Sequence, residues 1–485
     1  MEGSWLGFDE GLLTWLIDEG TASGASYVET RYQRDHGITV ALRNGRVLGL
    51  ASFSEEGVGI RVLVNGSLGF AATNDLSREG LREALTKAVG RARSMASLRR
   101  VPIQFTDERV GRASYEVLTR IRLEEVTAES LIDLGKEVHG TLLKLVNEVK
   151  LPVCTFEAGT RMQEKVVVTS EGAYVRSRVP RMSIGVNLVL THPQKGTLQR
   201  VKDFAGSGGG ELLKEWSPAE VLAEEVKNLE MVLVKGVEPP KEPVDVVVGS
   251  EIVGLLVHES AGHPMEADRI LGREAAQAGE SYVKPDMIGK FKVGSELATV
   301  IEDPTIPGSN GFYLYDDEGV PARARYLYKE GIINEALHNR HTASIFGTRS
   351  NAAARAMNYA SEPIVRMSNT YFKPSNMSFE ELIEDISMGI FMKSYMEWNI
   401  DDIRWNQRYV GLEAYIIRSG ELAGPVRNPI LEVTTQGFYS NVVAVDKELR
   451  FYPGTCGKGE PPQGVPVWFG GPNVRLSKIR LGVSA

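Results

Sequence analysis

Residues Ile252–His263 read IVGLLVHESAGH, an apolar helix that ends in two histidines and a glutamate. A helix that is apolar on every side belongs inside a core. It carries His258, Glu259 and His263 in with it, and buried imidazoles and carboxylates are costly unless they are hydrogen-bonded, paired or bound to a metal. A chain of 485 residues with 42% hydrophobic and 24% charged side chains can bury such a core. At roughly 100 to 200 residues per domain, this length suggests about two to four domains.

The spacing of the two histidines points to zinc chemistry with a twist in the backbone. Zinc favours neutral imidazole nitrogen and thiolate sulfur, and a catalytic site keeps three protein ligands with a fourth position open for water. The familiar zinc-protease pattern is HExxH; here it is HExxxH. On a regular helix a four-residue step leaves two side chains about 40° apart, whereas a five-residue step leaves them about 140° apart. A widened π-type turn would realign them, and Gly262 and Pro264 loosen the backbone at the right place. The competing reading is a pair of helix-end histidines bonded to the last carbonyls. A third ligand has three sources. Cys456 sits among glycines in YPGTCGKG, where Lys458 would help keep a thiolate. Cys154 alternates with apolar neighbours and reads as a core residue. His338 and His341 form HxxH and read as an exposed polar patch.

Other motifs carry less. Gly454 to Gly459 has the wrong spacing for a phosphate loop, and there is no GxSxG elbow. The run Asp316-Asp317-Glu318 reads as a solvated turn.

The organisation is that of an α+β protein. Asn44-Gly45 and Asn65-Gly66 separate β-rich runs and predict two hairpins. Helices are predicted from Phe8 to about Gly20, over Ser77–Ala96, over Thr127–Val149, and from Ser217-Pro218 to about Val234. The glycine-rich stretch Gly206–Gly210 reads as a mobile loop. Prolines 239, 240 and 243 mark the main boundary, beyond which the chain turns mostly β. The expected division is an N-terminal α+β domain at 1–100, a central α+β domain at 118–235 and a mostly β C-terminal domain at 244–485 that carries the HExxxH helix. The formal net charge of −8 offers no general basic surface for nucleic acid. There is no apolar run near the roughly 18 residues of a membrane span. Met1–Gly20 lacks Lys and Arg, unlike a secretory leader, and two cysteines make no disulfide framework. A cytoplasmic location is expected.

Longer matches extend over nearly the whole chain: VGIRVLVNGSLGFAATNDLS (58–77), HESAGHPMEADRI (258–270), YDDEGVPARARYLYKEGII (315–333), RMSNTYF (366–372) and TCGKGEPPQGVPVWFGGPNVRL (455–476). With these the sequence resembles the TldD/PmbA family of zinc-dependent proteases, in its TldD-like, metal-motif-containing branch. The resemblance implies one zinc ion per chain, held by His258, His263 and Cys456, with Glu259 as the catalytic glutamate. It implies a metallopeptidase acting on unfolded or leader-type peptides, as a homodimer or as a heterodimer with a related inactive paralogue. Arg366, Asn369 and Tyr371 are candidates for the cleft wall. The alternatives are a metal-dependent amidase on small molecules and a non-enzymatic regulatory or binding protein.

Overall fold

The two Asn-Gly pairs act as the sequence predicts. The computed structural model describes residues 7–274 and 279–483. In it Asn44 and Gly45 join β1 (Tyr27–Arg43) to β2 (Arg46–Val64), and Asn65 and Gly66 join β2 to β3 (Ser67–Thr73), all four with positive φ. That is the twist a two-residue hairpin turn requires. β1 and β2 run longer than the alternation suggested, because a further neighbour holds β1 along its length. This is β5 (Lys150–Thr169), which pairs with β1 from Glu29 to Arg43. β6 (Tyr174–His192) follows beside β5, and β4 (Arg112–Glu116) and β7 (Gly196–Ser207) both pair with β6. Strands from before and after residue 100 thus share one seven-stranded sheet.

The two faces of that sheet differ in chemistry. On β1, Val28, Tyr32, Val40 and Leu42 point to helices, while Glu29, Arg31, Gln33 and Asp35 point the other way and are buried as well. Helices α1 (Gly11–Ala22) and α2 (Arg78–Ala96) cover one part of the apolar face. α3 (Ala128–Leu145) and, after the short α4 (Glu211–Trp216), α5 (Pro218–Lys235) cover the rest. Ser77 and Thr127 cap α2 and α3 through their side-chain oxygens.

The polar face meets the C-terminal region. Arg61 binds Glu29 at 2.6 Å and Glu318 at 2.8 Å, and Lys165 binds Asp317 at 2.6 Å. The acidic run 316–318 is therefore buried, not a solvated turn, because cations of the opposing sheet receive two of its three carboxylates. Gly206–Gly210 is also buried. A Cβ on Gly209 would lie 1.9 Å from the carbonyl oxygen of Ile121, so glycine there serves close packing and not mobility.

The C-terminal region is mostly β, and the α+β class holds for the whole chain. One six-stranded sheet has β8 (Val244–Val248) between the strands 388–392 and 474–479. A second ends in the hairpin Arg450–Lys458 and Gln463–Gly471. Helix α6 (Ser250–Val257) follows β8 directly and lies against that hairpin. Every apolar side chain of α6 belongs to the largest buried cluster. Among the described residues no helix is long and apolar enough to cross a membrane.

Candidate metal centre

The backbone widens where the five-residue spacing requires it. His258–Gly262 continues α6 as a π-turn, closed by the His263 N–H donating to the His258 carbonyl. A Cβ on Gly262 would come within 2.1 Å of Met367 Sδ, so the turn has room only for glycine. The displaced carbonyl of Ser260 accepts from the Tyr328 hydroxyl at 2.7 Å and the Tyr282 hydroxyl at 3.3 Å, which satisfies a group the irregular turn would otherwise orphan. The result brings the two imidazoles together, with ring centroids 5.0 Å apart and planes at 81°.

The hairpin brings the thiol. Gly254 lies so close to Gly470 that a Cβ would stand 2.8 Å from the Gly470 nitrogen, and this contact seats α6 on the strand pair. Cys456, opposite Val465 in that pair, then reaches His263, with Sγ 3.6 Å from Nε2. One ligand atom from each of His258, His263 and Cys456 lies within 4.8 Å of the others, and all three residues are buried.

Zinc fits this donor set. With Zn–N near 2.05 Å and Zn–S near 2.3 Å, a tetrahedral angle sets the N to S edge at about 3.6 Å. The observed separation equals that edge. His263 Nδ1 is bound to Glu266 Oε2 at 2.9 Å, which orients the ring and leaves Nε2 facing the thiol. His258 Nδ1 is buried with no hydrogen-bond partner. Burial is the main cause that pulls both histidines below their ordinary range, which favours the neutral, ligating form. Burial opposes the Cys456 thiolate, but the attraction of His263 and Arg366 outweighs it and brings the thiol down to about 7.

Behind the three donors stands a buried charge cluster. Glu266 also accepts from Arg269 Nε at 2.7 Å and lies 3.3 Å from Lys458 Nζ. Lys458 turns to Glu266 and to Asp268 at 2.7 Å, so it does not support the thiolate as its sequence position suggested; His263 and Arg366 do. Glu259 is buried and forms an ion pair with Arg404. Both line a cavity of about 440 Å³ together with the two histidines and Cys456. Its walls include Asp203 from β7 and Tyr395 and Trp398 from the strand 395–400.

Three expected cleft residues lie elsewhere. Arg366 is fully buried and donates to the carbonyls of Gln463 and Cys456, so it braces the strands of the hairpin. Asn369 is fully buried and donates to the Asp303 carbonyl at 2.7 Å and Ser309 Oγ at 2.9 Å. The Tyr371 ring packs on Phe451, with centroids 5.4 Å apart. None of the three lines the cavity. Cys154 is in the core, and burial pushes its thiol up to about 11. His338 is buried beside Thr342 and not in an exposed patch. Arg404 and Glu266 escaped the sequence reading. Glu266 has a local signal, a carboxylate three residues after His263; Arg404 has none.

Family models described as PmbA/TldA metallopeptidase domain 1, central domain and C-terminal domain match residues 28–96, 121–233 and 241–483. The chain belongs to the TldD/PmbA family. A metalloprotease of Methanocaldococcus jannaschii is 31% identical over 93% of this chain and 95% of its own length. A protein of Saccharolobus solfataricus named zinc metalloprotease TldD homolog is 24% identical, covering 96% of this chain and 98% of its own. The crystal structure of TldE from Thermococcus kodakarensis has the same fold, with a TM-score of 0.76 at 16% identity over 97% of this chain and all of that one.

Proposed function

We propose that the chain is a zinc-dependent metallopeptidase that hydrolyses peptide bonds of unfolded or extended peptides. The observation that supports this most is the meeting of two imidazoles from one turn with a thiol 193 residues further on, at a spacing suited to zinc. His258, His263 and Cys456 would hold the ion, which when bound would act as a Lewis acid toward a water molecule and a peptide carbonyl. Glu259 accepts a proton from that water as its oxygen adds to the carbonyl carbon. It returns the proton to the amine nitrogen as the C–N bond breaks, so one water is consumed for each bond. Arg404 holds the Glu259 carboxylate in place across the cavity. The backbone of an extended peptide can pair with a strand edge. In the same reading the substrate is an unfolded or leader-type peptide in the cytoplasm. The working assembly is a homodimer or a heterodimer with an inactive paralogue.

The test combines metal analysis with mass spectrometry of an unfolded peptide library. Wild-type protein is expected to hold one zinc per chain and to cut backbone amides. Glu259→Ala should keep the zinc and lose the cuts, and Cys456→Ala should lose most of the metal. Equal hydrolysis by wild type and Glu259→Ala rejects the assigned base, and a zinc-loaded protein that leaves every peptide intact rejects the peptidase reading.

A further inference from the structure

The sheet face turned away from the helices carries an unusual pairing. Arg161 of β5 stands directly opposite Arg181 of β6. Like charges in that position repel. One row further along the strands the side chains are small, with Ala51, Gly159, Ser183 and Ala205 in register across the sheet. A groove of about 910 Å³ runs over this floor. It shares Asp203, Pro453, Gly454 and Thr455 with the metal-centre cavity, and Thr455 is the residue before Cys456. At its other side it shares Arg161, Arg181 and Pro466 with an inner pocket of about 40 Å³, which Arg355 also lines.

The cations here exceed the available anions. Arg181 is 7% exposed, and its donors reach only neutral acceptors: the carbonyls of Asn310 at 3.0 Å and Phe312 at 3.4 Å, and Gln163 Oε1 at 3.3 Å. Arg355 is 8% exposed and donates to the carbonyls of Met367 and Pro466. Among the described residues neither forms an ion pair with a carboxylate within 4.0 Å. Asp35 serves Arg161 Nε at 3.2 Å, and Asp317 serves Lys165. Asp316, at the same pocket, turns both its oxygens to backbone N–H groups, those of Glu318, Val320 and Ala354, and pairs with neither arginine. Burial and then Arg355 bring Arg181 down to about 10. Buried guanidinium without a counter-charge is costly, and a carboxylate that enters the pocket relieves the cost. The Arg161 side chain is 44% exposed and, with Nε given to Asp35, retains both terminal amino groups at the groove. A guanidinium fork fits a carboxylate with two parallel hydrogen bonds.

We propose that Arg161 and Arg181 form a subsite for a carboxylate of an extended peptide lying in the groove, with a peptide bond further along reaching the metal centre. The subsite rests on the peptidase reading for its purpose, though not for its binding chemistry. The carboxylate comes either from the peptide C-terminus or from an acidic side chain. General attraction does not account for such a preference, because the chain as a whole carries a net charge of −8.

The test measures binding without cleavage, by fluorescence anisotropy on zinc-loaded Glu259→Ala protein. Three labelled peptides share one neutral body: one ends in a free carboxylate, one in an amide, and one in an amide with a single internal glutamate. At least one carboxylate peptide is expected to bind about tenfold tighter than the neutral amide, and the one that gains identifies the source. Arg161→Gln, at a half-exposed position that the fold tolerates, should reduce the advantage to within about twofold. Equal binding of all three peptides overturns the proposal. So does an advantage that survives Arg161→Gln and, in protein with an unchanged circular dichroism spectrum, Arg181→Gln. If the parent protein cuts no peptide yet the carboxylate advantage is present and lost in Arg161→Gln, the subsite stands and the peptidase reading falls.

Discussion

Glu266→Gln isolates the role of the carboxylate behind His263. The substitution keeps the shape of the side chain and removes its charge. Glu266 is fully buried and has three positively polarised neighbours: His263 Nδ1 at 2.9 Å, Arg269 Nε at 2.7 Å and Lys458 Nζ at 3.3 Å. Burial opposes its ionisation, but Lys458 and Arg269 outweigh that and hold it well below the usual carboxylate range. The loss should appear in two separable quantities. Zinc affinity should fall 10- to 100-fold, about 1.4 to 2.7 kcal/mol, because a neutral amide raises the basicity of the imidazole less than a carboxylate does. The metal-free protein should also lose stability, up to about 3 kcal/mol, because Arg269 and Lys458 lose a shared counter-charge. Asp268 limits that second loss, since it keeps Lys458 at 2.7 Å. A depressed folded-state pKa stabilises at neutral pH and is lost as pH falls through it, so the variant should respond less to acid than the parent. The assay is competition with a chromophoric chelator at neutral pH, beside thermal melts of metal-free protein. A variant that melts earlier yet binds zinc within twofold of wild type refutes the reasoning, and leaves Glu266 as a partner of Arg269 and Lys458 only in stability.

Three further outcomes follow from the same geometry. Gly262→Ala should destabilise the protein by about 1 to 3 kcal/mol in urea melts, because its Cβ would strike Met367 Sδ, and Met367→Ala should restore part of the loss. Arg404→Gln should leave zinc content unchanged and lower kcat by about a hundredfold with little change in KM; unaltered kcat removes Arg404 from the reaction. Zinc binding should release about one more proton below pH 6 than above pH 8, because the Cys456 thiol is protonated below about 7 and must ionise to bind. Calorimetry in buffers of different ionisation enthalpy reads that difference.

What the sequence made legible is what local chemistry dictates. Asn44-Gly45 and Asn65-Gly66 determine their turns by their own backbone preferences, and Gly262 with Pro264 announces the widened turn. His258, Glu259 and His263 stand out because a buried helix has no other use for them. The errors fall where the decisive partner lies far away in sequence. Asp316-Asp317-Glu318 reads as surface until Arg61 and Lys165 are seen to arrive from another sheet. Gly206–Gly210 reads as flexible because the sequence cannot show the Ile121 carbonyl that excludes a Cβ. Arg366 and Asn369 are candidates for the cleft wall by sequence, yet both spend their donors on backbone carbonyls and Ser309 inside the core. Arg404 could not be found, since nothing near it in sequence hints at Glu259.

The thiol and its nearer imidazole partner are separated by 193 positions along the polypeptide. A nascent chain on the ribosome therefore has no complete zinc cage until its 456th residue has emerged and the hairpin has docked. Zinc held only by the folded chain would stabilise it through binding linkage, by about 4 kcal/mol at a free concentration a thousandfold above Kd. The proposed zinc would therefore load late in folding and would hold the docked hairpin to α6.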